Sequence, residues 1–355
     1  MPKDRIIIRN FGPIRHVNIE LPDIVVFIGR QAAGKSAIAK LIHFFRFVTD
    51  DAPFSHDLMD IFRKFFFGDV WLRQSQDAEI AYLCGNGVKF SFKNNELTHT
   101  DMKKSPRRSV FIPAGRAVYS LVSDAMFGLS LESVNIDPGI LLFGRTIETM
   151  KSDDPFEKDP HLRALSNDIL KGKFRFSGNE NRIYFSENRY VTMNNASSGQ
   201  QEVFPVLLLL AAAMASRKNH CITIEEPEAH LYPYAQHKLV EFITRVHNSP
   251  HASNTFVITT HSPYILTSFN NLLFAHQVAG ISEKAGKAVE AVVPEPNRVN
   301  PEDFSAYYVE DGKVRSVFDE GLISDNEIDD ASEDIAEVFD QLIDIYKGFG
   351  HGQDT

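Results

Sequence analysis

The sequence predicts an α/β fold with a mixed, largely parallel central sheet. Three features predict it. Short apolar, β-branched runs alternate along the chain with segments of helical character, the pattern of helices laid on the faces of a sheet. One such run, DIVVFI at 23–28, leads directly into a glycine-rich loop and then a helix. Two others, CITIEE at 221–226 and TFVITTHS at 255–262, end in charged or polar residues.

The elements follow in order. RIIIRN at 5–10 reads as a strand, Gly12-Pro13 as a turn, and RHVNIEL at 15–21 as the hairpin partner. Residues 23–28 are continuous apolar sequence of the buried central-strand kind. The loop at 29–36 precedes a helix at 37–48. Residues 50–76 are aromatic-rich and helical in character, and 78–92 form two short strands around Gly85-Asn86-Gly87. SVFIPAGR at 109–116 is a buried strand ending in a loop. Residues 117–171 form a helical subdomain, and 173–193 alternate again with a turn near Gly178-Asn179. An apolar helix is expected over 203–216, with Pro205 tolerable only near its start or at a kink. A strand at 221–226, a helix at 233–248, a strand at 255–262 and two more strands within 273–293 complete the core. Near the end, Ile335, Val338, Phe339, Leu342 and Ile345 recur at helical spacing opposite an acidic face, the pattern of a docked helix or a partner-binding tail.

Composition bounds the function. The chain has 355 residues, 43% hydrophobic and 24% charged, enough to bury a large core. The longest apolar stretch, 204–215, is shorter than the ~18 residues a bilayer span needs, so no membrane association is expected. The N-terminus enters a strand without the apolar region of a signal peptide. Cys84 and Cys221 stand alone, which argues against a disulfide framework or zinc site and fits a reducing cytoplasm. The net charge of −10 argues against a surface that binds nucleic acid all over, although not against a local basic patch.

Four motifs carry chemistry. The first, GRQAAGKS, comprises Gly29, Arg30, Gln31, Ala32, Ala33, Gly34, Lys35 and Ser36, and leads into Ala37. Two glycines let the backbone curl so that successive N–H groups face phosphate oxygens, and the following helix presents its positive end. Lys35 then reaches the β/γ-phosphates of ATP and the Ser36 hydroxyl ligates Mg2+. In the second, CITIEEPEAHLYP, consecutive carboxylates close an apolar strand. Glu225 takes the position that holds Mg2+ through water, and Glu226 the position that polarises the attacking water; adjacent residues on a strand face opposite ways and so do different jobs. The third, ASSGQQE, places Ser197, Ser198, Gly199 and Gln200 at a helix start, either a second anion site or an ordinary N-cap made by Ser198. The fourth, TTHSP, sets His261 where it can sense a γ-phosphate.

Walker A, signature, Walker B and switch histidine in this order resemble the ABC-type ATPases, and the resemblance spans most of the chain. The pattern is close to the SMC/RecF/OLD branch and closest to the OLD-like AAA ATPases of prokaryotes, which carry Glu-Glu-Pro-Glu-Ala-His-Leu-His-Pro, Ser-Ser-Gly-Gln and Thr-Thr-His-Ser; here Tyr232 replaces the second histidine. The resemblance implies that Ser198 and Gly199 contact a γ-phosphate held by another subunit, that 228–231 form the D-loop across the interface, and that His261 is the γ-phosphate switch. It also places Asn10, Phe11 and Arg15 near adenine and ribose, with Phe11 either stacking on the base or buried in the core. Arg116 is a phosphate or interface candidate, with a surface salt bridge as the plain alternative.

The sequence departs from the wider family at Glu225, where transporters and SMC proteins carry Asp. The interval before the signature is too short for a long coiled coil, and no Q-loop glutamine stands out beyond Gln74 and Gln76. The acidic sequence after His261 is shorter than the Toprim domain of OLD nucleases. The expected architecture is a P-loop NTPase ABC-type head with an N-terminal β-subdomain and an inserted helical subdomain. Its parts are an ATP-binding lobe at 1–116, a helical insert and signature region at 117–202, a Walker B and switch lobe at 203–300 and an acidic helical tail at 301–355. The implied function is an ATP-driven homodimer or higher oligomer that controls a separate effector such as a nuclease in phage defence. A RecF-like DNA-repair ATPase, with DNA as partner, and an ATP-bound scaffold or sensor are the alternatives.

Overall fold

The computed structural model describes residues 3–50, 58–66, 77–101, 103–116, 140, 143–144, 146–147, 154–177 and 180–324. Gln74, Gln76, most of the expected helical insert, the turn at 178–179 and the amphipathic segment at 335–345 lie outside them.

β3 (Ile24–Ile28) is the strand around which the catalytic half is ordered. It pairs in parallel with β12 (Thr255–Thr260) on one side and β13 (Phe304–Glu310) on the other. β12 pairs in parallel with β11 (Asn219–Glu225), and β11 with β7 (Arg107–Ile112). The carboxyl ends of these strands coincide, since Thr260 stands opposite Ile28, Thr259 opposite Glu225 and Ile224 opposite Ile112. In an open α/β sheet that edge is where ligands bind.

The other half of the sheet is mostly antiparallel. β1 (Asp4–Phe11) and β2 (Ile14–Leu21) form the expected hairpin, extended by β4 (Glu79–Leu83), β5 (Lys89–Lys93) and β6 (Glu96–His99). β14 (Lys313–Ser316) pairs with β13 and joins the halves, giving eleven strands in the order β6-β5-β4-β1-β2-β14-β13-β3-β12-β11-β7. A separate three-stranded sheet contains β8 (Lys173–Ser177), β9 (Glu180–Ser186) and β10 (Arg189–Thr192). β15 (Phe318–Asp319) and β16 (Leu322–Ile323) form a small ribbon.

The alternation of side chains along β3 assigns its two faces. Val25 and Phe27 pack with Ile38, Leu41 and Ile42 of α1 (Lys35–Asp50). Ile24, Val26 and Ile28 belong to the cluster formed by three other helices. These are α4 (Ser198–Ala215), α5 (Pro233–His247) and α6 (Pro263–Ala279). Both faces of the strand are therefore covered, which is why its sequence is apolar without alternation. The aromatic residues of the first lobe gather in one cluster. Phe44 and Phe62 pack edge-on at 5.0 Å, Phe45 stacks on Tyr82 at 4.9 Å, and α2 (Leu58–Phe65) contributes Phe62.

Three expectations need correction. Residues 273–293 are the end of α6 and a further helix, α7 (Glu283–Glu290). Leu266, Phe269, Leu272 and Leu273 are buried at helical spacing, and Ser262 caps the helix by accepting from the Tyr264 N–H at 3.2 Å. Residues 304–323, expected in a helical tail, are strands instead: β13 and β14 enter the main sheet and β15 and β16 form the separate ribbon. The Asp311-Gly312 turn, with both residues at positive φ, joins β13 to β14. The apolar helix begins at Ser198 rather than 203, so the signature forms its first turn and Pro205 lies inside it. By length and composition alone this α4 could cross a membrane, but 61% of it is buried within the protein. α3 (Pro160–Leu170), capped by Asp159, is the longest described helix of the insert.

Candidate active site

The loop after β3 turns on three residues at positive φ, Gly29 (147°), Ala32 (61°) and Gly34 (110°). A side chain at Gly29 would place its Cβ 2.2 Å from the Val309 carbonyl oxygen of β13, so glycine is required there by contact as well as by conformation. The curled loop, the start of α1 and the hairpin turn enclose a cleft of about 620 Å3. Gly12, Pro13, Gln31, Ala32, Ala33, Gly34, Lys35, Ser36 and Ala37 line it, together with Glu226 and His261. Arg30 is exposed and is not part of the lining.

Lys35 is buried and donates to the carbonyls of Gly29 and Arg30, both at 2.8 Å. Burial pulls its pKa down to about 8, against the raising influence of Glu226 and Glu228. Its ammonium nitrogen lies 3.3 Å from Nδ1 of His261, whose Nε2 lies 3.4 Å from a carboxylate oxygen of Glu226. Thus the three residues given catalytic roles from sequence, Lys35, Glu226 and His261, converge in one cleft. They come from the loops after β3, β11 and β12.

The two consecutive carboxylates diverge. Glu225 is buried and accepts from the Ala114 N–H at 3.3 Å, while Glu226 lines the cleft. Glu226 has φ 45°, the left-handed region that few non-glycine residues adopt. That rotation takes its side chain off the strand direction into the cleft. The third carboxylate of the motif, Glu228, accepts from the Thr260 hydroxyl at 2.8 Å and the His261 N–H at 2.7 Å. Burial raises its pKa. Glu228, for which the resemblance implied a place in a D-loop at 228–231, therefore holds the loop that carries His261 with its side chain.

The signature stands outside this cleft. Its N-cap is Ser197 and not Ser198. The Ser197 hydroxyl accepts from the Gln200 N–H at 3.4 Å, and Oε1 of Gln200 accepts from the Ser197 N–H at 3.0 Å in a capping box. Gln200 also donates to the Leu170 carbonyl at 2.7 Å, so its amide is committed within the chain. Ser198 is exposed at the helix start. A Cβ on Gly199 would lie 2.6 Å from the His230 carbonyl oxygen, so the signature and the segment after Walker B are in backbone contact.

Two other sequence candidates are relocated. Phe11 is fully buried and edge-on to Phe66 at 5.5 Å, within the aromatic core, so it does not face the cleft. Asn10 and Arg15 flank the turn; the Arg15 N–H donates to Gly312 at 2.8 Å. Arg116 is also fully buried and donates to backbone carbonyls, which excludes a surface salt bridge.

The chain matches the AAA ATPase domain family model over residues 1–111 and 145–266, more than half its length. It belongs to the AAA ATPase domain family. This AAA ATPase is an ATP-hydrolysing P-loop enzyme. No curated protein matches the sequence. Among solved structures it is similar to the SMC head domain from Thermotoga maritima, at 15% identity and TM-score 0.42, covering 76% of this chain and 92% of that one. It is also similar to an SMC head with an extended coiled coil from Pyrococcus furiosus, bound to the C-terminal domain of ScpA, at 10% identity and TM-score 0.43, covering 95% and 100%. A third is an ATP-binding cassette of an ABC transporter in its ADP conformation, at 13% identity and TM-score 0.39, covering 96% and 98%.

Proposed function

We propose that this AAA ATPase is a nucleotide-driven dimerisation switch. The observation that carries the reading is the separation of its parts: Lys35, Glu226 and His261 share one cleft, whereas exposed Ser198 and the N-terminal turn of α4 lie outside it. The start of a helix, where the first N–H groups have no intrahelical partner, suits an anion that another copy presents. In this reading the loop amides and Lys35 bind the β/γ-phosphates of ATP. Glu226 orients and polarises the attacking water, and His261 registers the γ-phosphate. Ser198 and Gly199 of a second copy close the site.

The oxygen donors suit Mg2+. Ser36 lines the cleft, and buried Glu225 ends the strand that leads into Glu226; a hydroxyl and a carboxylate are the oxygen donors that would hold an ion which keeps several waters. When bound, Mg2+ supplies charge neutralisation to the β- and γ-oxygens. The protein residues do the rest: they hold the phosphates, exclude bulk water and place the nucleophile.

The effector is a separate protein, a nuclease in an anti-phage system, by the likeness of EEPEAHLYP to the OLD-like pattern. Free Cys84 and Cys221 fit a reducing cytoplasm. A second reading, a RecF-like ATPase that contacts DNA, is favoured by the outer face of the β8–β10 sheet. There Arg175 lies over Tyr184 at 5.0 Å, Arg182 lies over Tyr190 at 4.4 Å, and Lys173 stands opposite Tyr184. Basic side chains interleaved with aromatic rings match phosphates and bases.

The test uses Glu226→Gln to trap the ATP state. Tagged, expressed in its native host and purified with MgATP, it should sediment as a dimer and carry a nuclease or toxin in stoichiometric amount. Recovery with DNA and repair factors would favour the second reading. A monomer with MgATP would contradict the switch.

A further inference from the structure

Arg116 follows β7, the parallel neighbour of the Walker B strand, and its side chain is wholly enclosed. Nε donates to the Glu202 carbonyl at 3.0 Å. One terminal nitrogen donates to Pro113 at 3.1 Å and to Glu225 at 2.9 Å, and the other donates to Glu226 at 2.9 Å. The second terminal nitrogen also lies 3.9 Å from the Glu202 carboxylate. A planar fork of five donors can serve these four carbonyls at once; an ammonium, with three donors on one atom, cannot.

We propose that Arg116 is a positioning residue for hydrolysis: it clamps the backbone of both Walker B carboxylates, holds Glu226 in its left-handed conformation, and ties that conformation to the signature helix. This rests on the reading that Glu226 acts on the attacking water.

Three bonds hold the Glu226 backbone. Its N–H donates to the Thr259 carbonyl at 2.8 Å, and its carbonyl accepts from Arg116 at 2.9 Å and, within the following turn, from the Ala229 N–H at 3.1 Å. A glutamate at φ 45° persists only where its surroundings over-determine it. Thr259 belongs to β12, so Arg116 supplies the tether from the opposite side. Glu202, which gives Arg116 its carbonyl, lies one helical turn after Ser198, and its carboxylate stands 3.5 Å from Nε2 of His230. Signature helix, Walker B and the segment after it therefore meet at one buried guanidinium. A shift of the first turn of α4 is transmitted to the carboxylate that faces the nucleotide.

The experiment compares Arg116→Lys and Arg116→Met with wild type. The expected result is a fall in kcat of about 100-fold, the effect of misplacing a reacting group by ~1 Å. Because Arg116 does not line the cleft, the Kd for a fluorescent MgATP analogue should stay within about threefold. The readout that a merely structural role would not move is the double-mutant cycle with Glu226→Gln in single-turnover assays. The combined variant should be no slower than Glu226→Gln alone. A further multiplicative loss, or an unchanged kcat in Arg116→Lys, overturns the proposal. Where an Arg116 variant fails to fold, it is remade with Glu226→Gly, which carries no penalty at positive φ. Recovery of folding supports the clamp on Glu226, and failure in both backgrounds overturns it. Wild-type turnover by Glu226→Gln alone would refute the role of Glu226, a result distinct from failure of the Arg116 cycle.

Discussion

Replacing Gly29 by alanine tests the close approach between the phosphate loop and the strand behind it. The new Cβ would meet the Val309 carbonyl oxygen at 2.2 Å, and its carbon and nitrogen at 3.1 and 3.2 Å. Cβ contacts below 3.0 Å are essentially unseen in proteins, so β13 must retreat by several tenths of an ångström. β13 is not free to do so. It is paired with β3 from Phe304 to Tyr308, and Val309 and Ala306 are fully buried. Overpacking of a rigid core costs about 1–3 kcal/mol, and an alanine forced to φ 147° adds about 1–3 kcal/mol. The expected loss is roughly 2–6 kcal/mol, a large share of the ~5–15 kcal/mol that stabilises a folded protein. Gly34 is the control. It also has positive φ, 110°, but a Cβ there meets nothing nearer than Ile14 at 3.5 Å. Gly34→Ala should therefore show the conformational cost without the clash. Both variants are compared with wild type by urea unfolding without nucleotide, so that differences in ligand affinity do not enter. Equal destabilisation by the two substitutions would refute the packing of β13 against the loop.

Other outcomes follow from the same geometry. Lys35 titrates near 8 in the free protein, so its ammonium is already charged below that pH and must take up a proton on phosphate binding above it. The Kd for MgATP should be flat from pH 6 to 7.5 and then weaken by up to about tenfold per pH unit, measured by titration calorimetry. The same depressed pKa means the unfolded chain binds the extra proton, so nucleotide-free stability from this group should rise as pH climbs from about 8 toward 10.5. Glu228→Ala removes the acceptor for Thr260 and His261 and should lower kcat by about tenfold, ~1.4 kcal/mol of barrier, whereas Glu228→Gln retains an acceptor oxygen and should be milder. Phe11→Ala should cost about 3–5 kcal/mol in thermal or urea unfolding and leave the MgATP affinity of the folded protein unchanged, the opposite of what an adenine-stacking residue would show.

The catalytic edge of this fold was legible because its signals are local. GRQAAGKS, CITIEE and TTHS each fix one strand and the loop that follows it, and the parallel pairing of β3, β12 and β11 brings those loops together. What the sequence hid depends on contacts between distant segments. Arg116 bridges Pro113, Glu202 and the Glu225-Glu226 pair, and nothing in the string PAGR announces a buried guanidinium. Phe11 is similar: a residue near a nucleotide motif looks like a stacking platform until Phe62, Phe66 and Phe92 surround it. The failure at 273–279 has a different source. A continuous apolar run carries no period, and only the Ser262 cap and the burial of every third or fourth residue separate helix from strand. β13 lies in a stretch of acidic composition, and its strand signal is only the FSAYYVE alternation and the Asp-Gly turn that follows it.

The central claim is that each active site is completed by the signature of a second copy. Subunit mixing tests it most directly. Lys35→Ala destroys the cleft and leaves the signature intact; Ser198→Arg blocks the signature and leaves the cleft intact. Each variant alone should be inactive. Mixed one to one, half of the dimers pair the two variants, and each of those holds one intact composite site, so roughly a quarter of wild-type ATPase activity should return. Activity in Ser198→Arg alone, or none in the mixture, would contradict the account.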